Sequence, residues 1–180
     1  MGELAVITGA DGGMGTEITR AVAKAGYHVI MLCNIFFKGE ERRNRLALDT
    51  GNENIEVMQV DLASMESVMH VADQLVERGR RIALLMNNAG TMATHFKQTE
   101  DGLEHTVAVN YMSHFLLTTR LLPLMGKGSR IVNMVSCTYV RGRITTDFLP
   151  KAGVEPSGGF RCIATPNWLC GCLLANLPGE

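Results

Sequence analysis

The stretch TGADGGMG (Thr8 to Gly15) follows directly on the apolar, β-branched run LAVIT (Leu4 to Thr8). Such a run meeting glycines reads as a buried strand. Beyond it, MGTEITRAVAKAG places Met14, Ile18, Ala21, Val22 and Ala25 at helical spacing, and these are expected to face the core. Gly26 is a natural stop for that helix. In a strand–turn–helix unit of this kind, Gly9 permits a tight turn, Gly13 lets the backbone approach a pyrophosphate, and Gly15 allows the helix to pack closely. Free N–H groups and the positive end of the helix then face the phosphates. A plain strand–helix turn has the same outline, so the flanking strand and amphipathic helix carry the dinucleotide reading.

Working outward, HVIMLCN (His28 to Asn34) is a second buried strand, and residues from Lys38 to about Thr50 are charged and helix-prone. IEVMQVD (Ile55 to Asp61) is a third strand. Ser64 is placed to cap a helix running to about Arg78, with Met65, Val68, Val71, Ala72 and Leu75 inward. IALLMN (Ile82 to Asn87) and RIVNMVS (Arg130 to Ser136) are the fourth and fifth strands. A long helical stretch from about Gly102 to Leu122, ended by Pro123, lies between them. Strands alternating with helices predict an α/β fold: a Rossmann-type, doubly wound parallel sheet with right-handed crossovers and helices on both faces. The expected domain is 1–144. After Ile144 the alternation fails, and 145–180 reads as an irregular tail in which only WLCGCLLANL looks able to pack. The sheet is therefore expected to be incomplete on its C-terminal side, with an exposed edge and one uncovered face.

The 180 residues suffice for one domain with a sizeable core. Their net charge of −1 gives no electrostatic case for nucleic acid or an anionic membrane. No segment approaches the roughly 18 uninterrupted apolar residues that span a bilayer. MGELAVITGA has an acid where a secretory signal has basic residues, so no signal is expected there. The five cysteines, Cys33, Cys137, Cys162, Cys170 and Cys172, are odd in number and irregularly spaced. They predict reduced thiols in a cytoplasmic protein and no metal site. A homo-oligomer is compatible with all of this.

The end of the second strand reads the cofactor ribose in such folds, and NAD binders often place an acid there. Here the position is Asn34, in CNIFFKGEERR, and no acid appears before Glu40. Lys38, Arg42 and Arg43 could meet a 2′-phosphate, which favours NADP over NAD, although the same cations could simply coat a solvated helix.

With NNAG at Asn87 to Gly90, the pattern resembles the short-chain dehydrogenase/reductase family. Thr8-Gly9-x-x-x-Gly13-x-Gly15 looks like its cofactor fingerprint, and Asp61-Leu62 stands where the family contacts the adenine. Asn87-Asn88-Ala89-Gly90 looks like its sheet-stabilising, cofactor-lining motif. Asn110, in VAVNYMSHFLLT, matches a helix asparagine of its proton relay, and Ser136 matches the serine that hydrogen-bonds a substrate carbonyl. RGRITTDF after Ser136 is most similar to the retinol-dehydrogenase-like branch. The resemblance implies a cofactor set of Thr8, Gly9, Asp11, Gly13, Met14, Gly15, Asn34, Asp61, Leu62, Asn88, Ala89 and Gly90, with Asn110 and Ser136 catalytic. It also implies NADP, or NAD, as hydride carrier and a small carbonyl or alcohol as substrate.

The family completes this chemistry with a Tyr-x-x-x-Lys pair on one helical face, where the lysine charge lowers the tyrosine pKa. This chain has only Tyr27, Tyr111 and Tyr139. Tyr139 and Arg143 are four apart, but Gly142 lies between them and arginine replaces a compact ammonium poorly. The expectation is half an active site: an NAD(P)-dependent oxidoreductase impaired as the chain stands. The alternative is a non-catalytic dinucleotide-binding or interaction protein that keeps the cradle. A methyltransferase on a similar sheet would not call for NNAG. The loss of periodicity and of every family signal together near Phe160 is what a shifted reading frame or truncated gene would produce.

Overall fold

β1 (Leu4–Thr8), β2 (His28–Cys33), β3 (Ile55–Gln59), β4 (Ile82–Asn87) and β5 (Arg130–Asn133) hydrogen-bond into one parallel sheet, in the order β3-β2-β1-β4-β5. The computed structural model describes residues 2–93 and 95–135. Ser136, Tyr139, Arg143, four of the five cysteines and the 144/145 boundary lie outside them.

Every residue of β1 and β2 is buried, because helices cover both faces of the central strands. On one face α3 (Met65–Glu77) and α5 (Ser113–Leu121) pack Val68, Val71, Leu75, Leu117 and Leu121 against Val6, Ile30, Leu32 and Leu85. On the other, α1 (Gly13–Lys24) and α2 (Phe36–Thr50) pack Ala23, Leu46, Ile18 and Val22 against Ile7, Val29, Met31 and Met86. The chain builds outward from β1 through β2 to β3, then crosses back to β4. The reversal opens a crevice beyond the carboxyl ends of β1 and β4, where such sheets take ligands.

The inward face of α1 differs from the sequence expectation. Gly15, Thr16, Thr19 and Ala23 are buried, Ile18 and Val22 half-buried, while Met14, Ala21 and Ala25 are exposed. The helix lies so close to the sheet that small residues, not large apolar ones, fit the contact. Its end is as expected. Gly26 takes φ +86°, its N–H donates to the Ala23 carbonyl at 3.0 Å, and the Tyr27 N–H reaches the Val22 carbonyl at 3.4 Å.

The Ser64 cap forms as read, its hydroxyl accepting from the Ser67 N–H at 3.2 Å, and Val68, Val71, Ala72 and Leu75 are inward as expected. Two strands are shorter than read: β3 stops at Gln59, leaving Asp61 in the following turn, and β5 stops at Asn133. The long helix also starts later than Gly102, which sits in a turn at φ +76°. Glu104 caps the helix, accepting from the Val107 N–H at 2.8 Å. It then runs as α4 (His105–Val107), a wider π turn (Ala108–Met112) and α5, and Pro123 falls in the closing 3-10 turn (Leu122–Leu124). Among the described residues β5 is the last strand of the sheet, with Val132 38% exposed and Leu84 half-buried on the face that carries α1.

Candidate active site

Gly9 and Gly15 are glycines because the fold leaves no room for anything larger. Gly9 has φ +60°, and a Cβ there would stand 3.0 Å from both Cα and Cβ of Ala89. A Cβ on Gly15 would lie 2.0 Å from the Gly9 carbonyl oxygen. Gly13 is different: a Cβ there would meet no atom within 4 Å. Nothing in the chain itself demands a glycine at that position, so the open space in front of it is where a bound group would use the missing side chain. The head of α1 has no side-chain cap and no acid in its first turn, so the N–H groups of Gly13, Met14 and Gly15 point outward from a positive helix end. The residues present fit a diphosphate.

Behind the turn, Thr8 is fully buried and its hydroxyl is a hub. It accepts the N–H groups of Asn88 and Ala89, each at 3.0 Å, and stands 3.0 Å from His114 Nε2. With two amides donating to it, the hydroxyl gives its proton to Nε2. Nδ1 then carries the ring hydrogen and donates to the Asn110 carbonyl at 3.3 Å. The imidazole is neutral, and burial pushes its pKa down to about 4. Thr8 thus works beneath the site, fixing NNAG against the glycine turn. Thr8→Val keeps the shape and strands two amide donors, so urea unfolding should show a loss of about 2 kcal/mol. An unchanged midpoint would contradict this role.

The asparagines are ties. The Asn88 amide donates to the carbonyls of Thr8 (3.0 Å) and Gly9 (3.2 Å). Asn87 joins β4 to β5 through Asn133 Oδ1 (2.7 Å) and to α5 through Thr118 Oγ1 (3.0 Å). Asn110 is buried, accepts from the Thr91 N–H at 2.8 Å and donates to the Thr91 carbonyl at 2.9 Å. Its side chain therefore pins the segment just past Gly90.

Above these ties lies a cavity of about 220 Å³. It gathers seven of the cofactor residues read from the sequence: Gly9, Asp11, Asn34, Asp61, Leu62, Ala89 and Gly90. Asp61 also closes its own turn by accepting from the Ala63 N–H at 2.8 Å. Thr91, His105 and Val109 line the same space and carried no signal in the sequence. Leu32 and Val60 do too, and strand position alone could have found them. Asp11 also borders a second cavity, about 410 Å³, lined by Lys38, Glu41, Arg42 and Arg45. Arg43 is not among them; it bonds Glu40 at 2.7 Å. Arg45 lines the cavity in place of Arg43 and is itself paired there with Glu41 at 2.7 Å. Buried Cys33, its thiol pushed up to about 12 by burial and then by the Asp11 carboxylate, is inert packing. A larger, open groove of about 810 Å³ runs along the β3 edge past Phe36, Gln59 and Arg78 and contains none of the candidate residues. Among the described residues no cluster of metal-ligating side chains forms, and no helix is long and apolar enough to cross a membrane.

Comparison with known proteins agrees with this geometry. Mouse (Mus musculus) retinol dehydrogenase 12 is 34% identical over 145 residues, 79% of this chain and 46% of the relative. Polyprenol dehydrogenase of Danio rerio is 38% identical over 154 residues, 82% of this chain and 48% of the relative. The chain thus spans slightly under half the length of these relatives. An uncharacterised Mycobacterium paratuberculosis protein of known structure superposes with TM-score 0.80 at 30% identity, covering 93% of this chain and 58% of that one. A metagenomic short-chain oxidoreductase solved in complex with NADP gives TM-score 0.71 at 23% identity, covering 96% and 73%, a likeness of fold. The sequence pattern of the short chain dehydrogenase family matches residues 3–146. With the glycine turn, the Thr8 hub and the NNAG ties in place, the chain belongs to the short chain dehydrogenase family.

Proposed function

We propose that this chain binds NADP(H) in preference to NAD(H), as the cofactor-binding part of an oxidoreductase acting on a small carbonyl or alcohol. The observation that carries this is the uncapped head of α1, with Gly13 open before it and Gly9 and Gly15 locked behind. A bound nicotinamide cofactor supplies the hydride. The chain's own residues do the rest: α1 amides hold the diphosphate, Asn88 and Ala89 line the path toward β4, and Asn110 keeps that path in place. Ser136, outside the described residues, is assigned by resemblance to a substrate carbonyl oxygen, where negative charge develops. The preference for a 2′-phosphate rests on Lys38, Arg42 and Arg45, which line one cavity together with Asp11 and Glu41. The NADP in the metagenomic oxidoreductase, and NADPH in an Escherichia coli structure of like fold, support the binding of a nicotinamide dinucleotide.

The sequence has no tyrosine after Tyr139, which favours a second reading for the chain as it stands: cofactor binding with little or no turnover. Thermal melting tests the first part. NADPH at a hundred times its Kd should stabilise the fold by about 2.7 kcal/mol. Replacing Lys38, Arg42 and Arg45 together by alanine should weaken NADPH roughly tenfold or more and leave NADH alone. A melting point indifferent to both cofactors would end the proposal. NADPH consumption with a panel of aldehydes and ketones decides between slow enzyme and silent binder.

A further inference from the structure

β3 closes one side of the sheet, and its outer edge lies open along the 810 Å³ groove. The Asn54 carbonyl accepts from the Val29 N–H at 2.9 Å, and the Val60 N–H donates to the Cys33 carbonyl at 2.9 Å. Alternate residues of a parallel strand serve the same neighbour, so Asn54, Glu56, Met58 and Val60 bond β2. Ile55, Val57 and Gln59 turn their N–H and C=O groups the other way, where no strand among the described residues meets them. Edge strands are commonly blunted by lysine, proline or a bulge. IEVMQ has none of these, and its register against β2 is unbroken. Its one charge, on Glu56, is held by Arg78 at 2.8 Å.

The edge says what would cover it. The outward set of Ile55, Val57 and Gln59 is centred on Val57. Turned about a two-fold axis through Val57, a second β3 runs antiparallel to the first, with Val57 opposite Val57 and Ile55 opposite Gln59. Every outward N–H of one copy then meets an outward carbonyl of the other. The groove wall is complementary in the same sense. Along it α3 presents Ser67, His70, Gln74, Glu77 and Arg78, and the α3 of the second copy runs antiparallel to this stripe. Gln74 lies between His70 and Glu77, both exposed, so the axis brings His70 of each copy toward Glu77 of the other, a base toward an acid. A peptide of unrelated sequence would satisfy the strand edge but not this reciprocal pairing.

We propose that two copies of this chain associate through antiparallel β3–β3 pairing, which joins their sheets into one. The groove shares no lining residue with the 220 Å³ cavity, so the pairing draws on no residue of the cofactor seat.

Sedimentation velocity of the full chain across a concentration series should show a monomer–dimer equilibrium. Hydrogen exchange should slow at the amides of Ile55, Val57 and Gln59 as the dimer forms. Val57→Pro removes an outward N–H and no bond to β2, and should leave a monomer that circular dichroism reports as folded. His70→Glu sets acid against acid and should weaken the dimer about tenfold, and adding Glu77→Lys should recover most of that loss. Should the proline variant fail to fold, the charge pair decides alone, since both of its residues are exposed on α3. A chain monomeric throughout the series would overturn the proposal. So would a dimer whose strength neither Val57→Pro nor His70→Glu alters, because the contact would then lie on another face.

Discussion

Gly15→Ala should destabilise the protein by about 3 kcal/mol or more, enough to unfold a marginal domain. The added Cβ would fall 2.0 Å from the Gly9 carbonyl oxygen and 2.9 Å from Asn88 Nδ2. The first of these is backbone, and Gly9 cannot retreat: it is held at φ +60° with Ala89 packed against it. Relief requires α1 to lift from the sheet, taking Thr16, Thr19 and Ala23 out of their buried contact. Gly13→Ala, two residues earlier, is the control. Its Cβ meets no atom of the described chain, and alanine is the better helix former, so stability should hold or rise by up to about 1 kcal/mol. NADPH affinity, by contrast, should fall at least about tenfold, because the methyl group enters the space before the α1 amides. Urea unfolding and cofactor titration of the pair separate fold from ligand. Equal stabilities for the two variants would refute the packing argument, and undiminished NADPH binding by Gly13→Ala would refute the diphosphate seat.

Acid should act through His114 before it acts through the carboxylates. His114 is 3% exposed, and burial holds its native pKa near 4, below the ordinary histidine value of 6.5. Above pH 6.5 both folded and unfolded chains carry it neutral, and it contributes no pH dependence. As pH falls below 6.5 the unfolded chain takes up a proton that the native state refuses, so stability drops until pH reaches about 4. The loss across that window is about 3 kcal/mol. Glu17, lowered chiefly by its hydrogen bond to Arg20, and Glu56, lowered by Arg78 and His28 against its desolvation, contribute only below the ordinary carboxylate value of 4.5. Comparing the unaltered chain with a His114 variant by urea unfolding between pH 6.5 and 4.5 therefore isolates this histidine. His114→Gln, which retains hydrogen-bonding atoms, should be nearly flat over the same range. A flat profile for the unaltered chain, or an unchanged slope in the variant, would remove His114 as the cause.

The sheet was legible because its signals are local. An apolar β-branched run, a glycine turn and a helical stripe each declare themselves within a dozen residues, and their alternation leaves few topologies. The glycine turn was read for the same reason, whereas NNAG and Asn110 were singled out by resemblance to the family. What escaped was decided by distance along the chain. The face of α1 follows from how close Gly15 lets it come, a property of the Gly9–Gly15 contact and not of hydrophobic spacing. Arg45 rather than Arg43 lines the cavity because α2 packs with Gly39 and Leu46 inward, which fixes the direction of its charges. His114, 106 residues from Thr8, is a polar residue in an apolar helix until the two are brought together.

The π turn at Ala108–Met112 lets one helix keep two registers. Within it, Asn110 faces Thr91; downstream, Leu117 and Leu121 lock into the core. The carbonyls of Val109 and Asn110 also take side-chain donors, the Ser113 hydroxyl at 2.8 Å and His114 Nδ1 at 3.3 Å. Each residue of a regular α-helix turns it by about 100°. Deleting a single codon here would regularise the helix but swing one half out of phase with its surroundings. Substitution can explore this segment, whereas a change of length cannot, and any lineage retaining both the crevice and the core must inherit the extra residue intact.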